Sequence, residues 1–202
     1  MSDDDQILLI ENDGAVRTLR LNRPDVLNAL NDDLLAALGK AVREAEKDKT
    51  VRCLVITGAG RGFSAGHDLA DVSGRYKSDA PIELGAHIRE RYNPIISKIR
   101  TLEKPVIASV NGVAAGAGCS LALVCDLRIA AESASFIEAF INVGLVPDSG
   151  STFMLPRLVG AARAMELAMT GRKVKADEAL RIGLVNRVVP DADLVAETTK
   201  LA

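Results

Sequence analysis

Two glycine-rich turns are the segments of this chain whose residue types and spacing first suggest chemistry. Residues 60–69 read GRGFSAGHDL and residues 111–120 read NGVAAGAGCS, each after a short apolar run. Glycine permits close backbone approach, and the first N–H groups of a helix lack intrahelical partners, so such turns can direct N–H donors at a ligand. Taken alone, each motif is explained as well by a tight structural turn.

Asp148 is the candidate for proton transfer. It lies in the sequence PDSG at residues 147–150, immediately before a predicted helix. A carboxylate there could exchange a proton with a substrate, but aspartate is also a favoured N-cap residue. The local sequence is compatible with both roles.

Several other kinds of site are disfavoured by spacing. Gly116 and Gly118 are followed by Leu121 where the third glycine of a dinucleotide-binding fingerprint belongs. The two histidines have no ligand-type spacing, so no metal site is expected. The three cysteines lie in apolar surroundings and are predicted to be reduced core residues.

The composition is that of an ordinary globular domain, with 48% hydrophobic and 26% charged residues. A net charge of −2 with mixed signs along the chain disfavours nucleic-acid binding. The acidic start lacks a signal-peptide pattern, and no apolar run approaches the roughly 18 residues that span a bilayer. We therefore expect a soluble cytoplasmic protein that does not enter a membrane.

Hydrophobic periodicity predicts an α/β fold with largely parallel strands. Strands are predicted at residues 7–10, 16–21, 53–57, 106–110 and 127–131, and residues 185–189 form a short apolar run. Helices are predicted at residues 31–48, from residue 81 onward, after residue 111, after residue 149, and at 163–169 and 176–182. A polar loop is predicted at residues 71–80, where it could cover a site.

Four segments resemble the crotonase, or enoyl-CoA hydratase/isomerase, family, in the family's order and at its spacing. They are FSAGHDL (63–69), KPVIASVNGVAAGAGCSLALVCDLRIAAESASF (104–136), GLVPDSG (144–150) and KADEALRIGLVNRVV (175–189). The resemblance implies one α/β domain over residues 1–202 with the ClpP/crotonase spiral of ββα repeats in 1–160. Residues 161–202 would begin a helical C-terminal region, which we expect to be truncated relative to the family.

The resemblance also implies a thioester oxyanion hole, formed by the backbone N–H groups of His67 and Ala117. An acyl-CoA α-proton is too weakly acidic for a carboxylate unless such donors hold the enolate oxygen, and losing one donor costs about 3 kcal/mol of barrier. A catalytic imidazole is the alternative role for His67. No permanently bound cofactor is implied, because coenzyme A enters as part of the substrate.

Further residues are implied in binding coenzyme A or the acyl group. The coenzyme A residues are expected to act largely through their backbone. The set comprises Val26, Leu27, Ala29, Ala65, Gly66, Asp68, Leu69, Val113, Ser120 and Phe140.

The reaction that the resemblance favours is isomerisation. Hydratases of the family use two glutamates, and the matched positions are Ser120 and Phe140, although Glu138 lies close by. Asp148 matches the acidic residue that moves the proton in dienoyl-CoA isomerases and in 2-(1,2-epoxy-1,2-dihydrophenyl)acetyl-CoA isomerases, which GLVPDSG particularly resembles. An apolar surround that includes Val146 would raise the pKa of Asp148.

The alternatives are a hydratase-like enzyme, an aryl-CoA dehalogenase and a non-catalytic acyl-CoA-binding protein. The dehalogenase is disfavoured because its histidine and tryptophan positions fall on Asn93 and Phe140. The non-catalytic protein is disfavoured by Asp148. The family resemblance further implies a homotrimer or a dimer of trimers.

Overall fold

The computed structural model of this chain describes residues 6–68 and 84–202, and two β-sheets run through them. Their strands, in chain order, are β1 (Leu8–Asp13), β2 (Val16–Leu21), β3 (Cys53–Gly58), β4 (Gly62–Ser64), β5 (Val106–Val110), β6 (Val113–Ala115), β7 (Leu127–Ala131), β8 (Ser135–Ile137), β9 (Val174–Lys175) and β10 (Arg187–Val189).

Helices connect and cover these strands. The α-helices of the described residues are α1 (Asp32–Lys47), α2 (Leu84–His87), α3 (Asn93–Thr101), α4 (Ala117–Val124), α5 (Ser151–Val159), α6 (Ala161–Thr170), α7 (Ala176–Arg181) and α8 (Leu194–Leu201). A π-helical turn, Ile88–Tyr92, joins α2 to α3, and 3-10 turns cover Pro24–Val26, Ala139–Val143 and Asp191–Asp193. Within these two ranges, no helix is long and apolar enough to cross a membrane.

Successive strand pairs pass through both sheets in a spiral. The larger sheet has the order β1-β2-β3-β5-β7-β10, and the smaller has the order β4-β6-β8-β9. The chain therefore moves from β3 to β4, from β5 to β6 and from β7 to β8, crossing from the larger sheet to the smaller each time. Because β4, β6 and β8 are parallel neighbours, the segments that follow them meet at one edge of the smaller sheet.

The elements with the strongest sequence patterns are found in the structure where the sequence predicts them. Asn31 caps α1 by accepting a hydrogen bond from Leu34 N at 3.0 Å, and the predicted apolar face of this helix is buried. All six residues of β3 are buried, as expected for a strand covered on both faces. The predicted hairpin is confirmed as the antiparallel pair β1 and β2.

The short strands β4, β6 and β8 are not apparent in the sequence, because three residues are too few to show alternation. Each glycine-rich turn thus includes a strand of the smaller sheet. The loop predicted at residues 71–80 and the start of the helix predicted from residue 81 lie outside the described residues. That helix is described from Leu84 onward.

Residues 161–202 are mostly helical, but they also extend both sheets. β9 pairs with β8 in antiparallel fashion, and β10 pairs with β7 in parallel fashion. The main core cluster contains residues from Leu8 to Val185, so it spans the division at residue 160. The assignment of residues 1–202 to a single domain stays a prediction.

The loop before α1 is held in a strained conformation by one buried amide. Leu27 and Asn28 have positive φ values of 51° and 55°, which are uncommon outside glycine. The Asn28 side chain donates to Ala59 O at 2.9 Å and Gly62 O at 2.8 Å, and its Oδ1 accepts from Arg23 N at 2.9 Å. Asn28 therefore ties this loop to the turn between β3 and β4.

We expect Asn28→Ala to lower the free energy of unfolding by about 3 kcal/mol, because several buried polar groups lose their partners together. Urea unfolding followed by circular dichroism measures this change. Asn12→Ala is the control, since Asn12 is exposed, and it should change stability by no more than about 0.5 kcal/mol. Similar losses in both variants would show that the Asn28 contacts do not hold the loop.

Candidate active site

The two glycine-rich segments come together where β4 and β6 end. Gly66 has a φ of +91°, and a Cβ placed on it would lie 2.5 Å from Ala115 O and 3.2 Å from Ala117 N. Only glycine allows this approach. The His67 nitrogen is bonded to the carbonyl carbon of Gly66, so the structure brings the predicted amides of His67 and Ala117 close together.

Ala117 is the first residue of α4, where an α-helix leaves its N–H groups without intrahelical partners. Its N–H donates no hydrogen bond within residues 6–68 and 84–202. The preceding Gly116 has a φ of +51°, and no side chain caps the helix. The start of α4 therefore offers a donor at a helix end that favours negative charge.

The loop predicted to bind coenzyme A runs alongside the first glycine-rich segment. Ala65 N donates to Leu27 O at 2.8 Å, Leu30 N donates to Gly66 O at 2.7 Å, and Asp68 N donates to Leu30 O at 3.1 Å. The structure thus brings together the predicted residues Val26, Leu27, Ala29, Ala65, Gly66 and Asp68. Leu69 lies outside the described residues.

Val26, Ala29 and Asp68 differ in how far they are exposed to solvent. Val26 is 46% exposed and could meet a ligand through its side chain, whereas Ala29 is buried. Asp68 is also buried, and its Oδ2 accepts from Arg23 Nη1 at 2.7 Å. The Asp68 carboxylate therefore holds the loop in place, while the backbone of Asp68 lies beside Leu30. The 45 positions between Arg23 and Asp68 explain why the local sequence carries no signal for this pair.

Val113 lies beneath the same segment. A Cβ placed on Gly62 would lie 3.3 Å from Leu27 Cδ2 and 3.4 Å from Val113 Cγ1. The side chains of Leu27 and Val113 therefore both pack against Gly62. Val113 is partly buried and packs against the glycine-rich segment that carries His67.

Asp148 lies in a strained turn that Ser120 anchors. Ser149 has a φ of +49°, and its hydroxyl donates to Asp148 Oδ1 at 2.8 Å. The Ser120 hydroxyl donates to Asp148 O at 3.1 Å, which links the turn to α4 three residues after Ala117. The N-cap role is not observed, because Gly150 is the N-cap residue of α5 and no side chain caps this helix.

Ser120 is fully buried, and its hydroxyl also lies 3.3 Å from Gly116 O. This placement supports anchoring of the Asp148 turn rather than direct contact with a substrate. The matched position holds a catalytic glutamate in the hydratases that the sequence resembles. Here the smaller hydroxyl holds the backbone of the turn that carries Asp148.

Burial raises the pKa of Asp148 above its ordinary value, while the hydroxyl of Ser149 and the nearby imidazole of His87 act in the opposite direction. One of the residues that are expected to shield the Asp148 carboxyl group, Val146, does not do so. Phe140 is 6% exposed, but Val146 is 78% exposed and does not shield the carboxylate. Val146 faces outward because the segment after the 3-10 turn Ala139–Val143 lies at the surface.

Glu138 is a second buried carboxyl group, and the sequence does not decide whether its side chain faces the same way as that of Phe140. β8 ends at Ile137, so strand alternation does not continue from Glu138 to Phe140. Glu138 is 3% exposed, and neither carboxyl oxygen has a hydrogen-bond partner among the described residues. Burial raises its pKa, the Ser151 hydroxyl and Cys119 thiol lower it, and the charge of Asp148 raises it further.

The His67 side chain belongs to a polar cluster beside the amides. Its Nδ1 lies 2.6 Å from the Tyr92 hydroxyl, and its ring centroid lies 5.2 Å from that of His87. His87 in turn influences the Asp148 carboxyl. The Asp148 turn and the His67 turn both lie next to α4, the first through Ser120 and the second through the contact of Gly66 with Ala117.

Comparison with known proteins agrees with this geometry. The model of the enoyl-CoA hydratase/isomerase family matches residues 11–202. The chain is 46% identical to the 1,2-epoxyphenylacetyl-CoA isomerase of Escherichia coli (strain K12) over 98% of its own length and 75% of that protein's length. It belongs to the enoyl-CoA hydratase/isomerase family.

Other members of the family carry the hydratase name. The chain is 41% identical to the short-chain-enoyl-CoA hydratase of Clostridium acetobutylicum, over 96% of this chain and 73% of that protein. The crystal structure of an enoyl-CoA hydratase from Bacillus anthracis matches with a TM-score of 0.91 and 35% identity, over 97% of this chain and 75% of that one. These matches confirm the crotonase-type fold, and they leave isomerase and hydratase activities both represented among the relatives.

We expect Gly66→Ala to lower the free energy of unfolding by about 3 kcal/mol, since a methyl group there adds a backbone clash to the strain of positive φ. Gly144→Ala is the matched control, because Gly144 is in the left-handed region, with a φ of +72°, but has nothing within 4 Å of its added Cβ. It should lose only about 1 kcal/mol. Equal losses on urea unfolding would contradict the close contact between the turns.

Proposed function

We propose that this protein is an acyl-CoA isomerase that moves a double bond, or rearranges a ring epoxide, in an unsaturated acyl-CoA thioester. The observation that carries the proposal is the placement of Asp148. Its carboxyl group is partly buried, and its backbone carbonyl oxygen accepts a hydrogen bond from Ser120 of α4, whose first residue provides one of the two proposed oxyanion donors. The two positions that hold glutamate in hydratases are occupied by Ser120 and Phe140.

In the proposed mechanism, the thioester oxygen accepts hydrogen bonds from the His67 and Ala117 amides. Asp148 then removes a proton from the acyl chain, and negative charge accumulates on the oxygen as an enolate forms. The amides stabilise this charge because they are held in place before the reaction begins. Asp148 returns a proton at a different carbon, which completes the isomerisation.

A single carboxyl group is sufficient for this reaction, because the base that removes the proton becomes the acid that returns it. The raised pKa of Asp148 supports this dual role, since proton transfer is most efficient when the pKa lies closer to the working pH. Partial burial supplies the shift. The hydrogen bond from Ser149 keeps the ionised form accessible.

Coenzyme A is proposed to bind along the loop that precedes α1. Val26 offers an exposed side chain, while the backbones of Leu27 and Ala29 are held in place by hydrogen bonds from Ala65 N to Leu27 O and from Arg23 Nη1 to Ala29 O. No permanently bound cofactor is part of the mechanism. The similarity to the relative named 1,2-epoxyphenylacetyl-CoA isomerase supports ring-derived thioesters as substrates, as in phenylacetate degradation. Straight-chain thioesters of fatty acid metabolism are the second candidate class of substrate.

A hydratase is the second candidate, and the burial of Glu138 is the observation that favours it. A hydratase needs a further acid or base, and Glu138 is the buried carboxyl that interacts with Asp148. Against this role, Glu138 is 3% exposed and lies beside Cys119 and Ser151. The homotrimer, or dimer of trimers, and the cytoplasmic location implied by the resemblance stay predictions.

The test is isomerisation of cis-3-hexenoyl-CoA in deuterium oxide by the wild type and by Asp148→Asn. We expect the wild type to form the 2-enoyl product and the variant to lose about 100-fold or more in turnover, because the amide cannot take a proton. Asp177→Asn, at an exposed position in α7, is the control and should keep wild-type activity. Equal turnover in all three proteins would reject the role of Asp148.

The pH dependence of kcat/KM provides a further check. The reaction needs ionised Asp148, and a raised pKa keeps this group protonated to a higher pH. The value of kcat/KM should therefore rise with pH through a midpoint above 3.8, the ordinary pKa of an aspartate.

A hydratase would instead form a product that is heavier than the substrate by one water molecule. Loss of that product in Glu138→Gln would identify the protein as a hydratase.

A further inference from the structure

The His67 amide, one of the two proposed oxyanion donors, belongs to a peptide plane that Leu30 orients. Leu30 N donates to Gly66 O at 2.7 Å, and Asp68 N donates to Leu30 O at 3.1 Å. Leu30 and His67 thus form a parallel β-bridge. The N–H and C=O groups of a trans peptide point in opposite directions. The hydrogen bond to Gly66 O therefore directs the His67 N–H away from Leu30.

The side chain of Tyr92 contacts both residues of this bridge. Its hydroxyl lies 2.6 Å from His67 Nδ1 and 3.5 Å from Leu30 O. Tyr92 is 2% exposed, and the hydroxyl of a buried tyrosine needs polar partners of this kind. The short contact with Nδ1 fixes the far end of the His67 side chain.

The π-helical turn determines where Tyr92 lies. Asn93 N donates to Ile88 O, the i to i+5 pattern of a π-helix, which is frequent at functional sites. Residues five apart are about 1.4 turns apart in an α-helix, so His87 and Tyr92 would face different directions without this turn. Here their rings lie 5.2 Å and 5.8 Å from the ring of His67. The turn therefore brings Tyr92 against the residue that carries the amide.

We propose that Tyr92 is a positioning residue for the oxyanion hole, because its hydroxyl fixes the His67 ring and thereby the direction of the His67 amide. The inference rests on the function proposed above, in which that amide stabilises an enolate oxygen. In this role Tyr92 acts through His67 and does not contact the substrate.

The contact with the ring matters because the residue before His67 is a glycine. Gly66 has a φ of +91°, and glycine restricts the backbone less than any other residue does. Rotation of the peptide plane between Gly66 and His67 would turn the N–H away from the thioester oxygen, and a hydrogen bond weakens steeply as its angle departs from linear. By holding the ring, Tyr92 limits this rotation and keeps the donor aimed before the substrate binds, as preorganised stabilisation requires.

The test measures how strongly the protein stabilises an enolate, with acetoacetyl-CoA as the probe. This thioester ionises at C2 to an enolate that absorbs in the near ultraviolet, so a pH titration gives the pKa of the bound probe. The wild type should lower this pKa below that of the free thioester. Tyr92→Phe keeps the ring and removes the hydroxyl. It should reduce the enolate-to-keto ratio of the bound probe about tenfold, less than the loss of a complete donor.

Thr101→Val is the matched control. It also removes one hydroxyl, which donates to Ser97 O within α3, but at an exposed position. Its enolate-to-keto ratio should equal that of the wild type. His67→Ala is the second variant, because it removes the ring and keeps the backbone N–H. It should lower the ratio by a factor similar to that of Tyr92→Phe, and the double variant should lower it no further, since both side chains act through one contact.

An enolate-to-keto ratio in Tyr92→Phe equal to that of the wild type would overturn the positioning role. A contact that only stabilises the fold would change urea unfolding without changing the ionisation of the bound probe. Independent, additive losses in the double variant would also overturn the role. The equilibrium does not depend on which base removes the proton. A wild type that stabilises the enolate but does not isomerise cis-3-hexenoyl-CoA would therefore reject the isomerase alone, whereas a wild type that leaves the pKa of the probe unchanged would reject both proposals.

Discussion

The close contact between the backbones of the two glycine-rich segments is the constraint on which the rest of the site depends. β4 and β6 are adjacent parallel strands, and the chain that follows each of them must pass the other. A Cβ on Gly66 would lie 2.5 Å from Ala115 O, and one on Gly118 would lie 2.4 Å from Ser64 O. Because side chains are absent at both positions, the His67 and Ala117 amides are held close together by the sheet itself.

The Asp148 turn is attached to this frame through α4. Ser120 connects it to α4, and the positive φ of Ser149 shows that the local conformation is imposed by its surroundings rather than chosen by the residue. Partial burial, which raises the pKa of Asp148, is a consequence of the same packing. The elements that place the donors therefore also place the carboxyl group and tune its acidity.

Many of the strands and helices that carry the site could be predicted from the sequence, because they depend on local patterns. The continuous apolar run of β3 and the cap of α1 by Asn31 are examples. The Asp148 position was identified by resemblance, since its own tetrapeptide is equally compatible with a helix cap. That ambiguity could not be removed locally, because the contact that decides the turn's position comes from Ser120, 28 residues away.

Other features depend on long-range packing and carry no sequence signal. The ion pair with Arg23 gives a structural role to the carboxylate of Asp68, a residue that is predicted to bind coenzyme A largely through its backbone. Val146 was expected to shield Asp148 because it is apolar, but it lies on an exposed segment where hydrophobicity alone does not decide burial. Glu138 shows the opposite case, a charged residue type that tertiary packing buries without a hydrogen-bond partner among the described residues.

The most direct test of this account is the carbonyl stretching frequency of a bound acyl-CoA thioester, measured by difference infrared spectroscopy with isotope-labelled carbonyl. Two main-chain donors should polarise the carbonyl bond, so its frequency should fall clearly on binding to the wild-type protein. A bound thioester whose carbonyl absorbs at the same frequency as in water would contradict the oxyanion hole. In that case the contact between the two glycine-rich segments would be only structural.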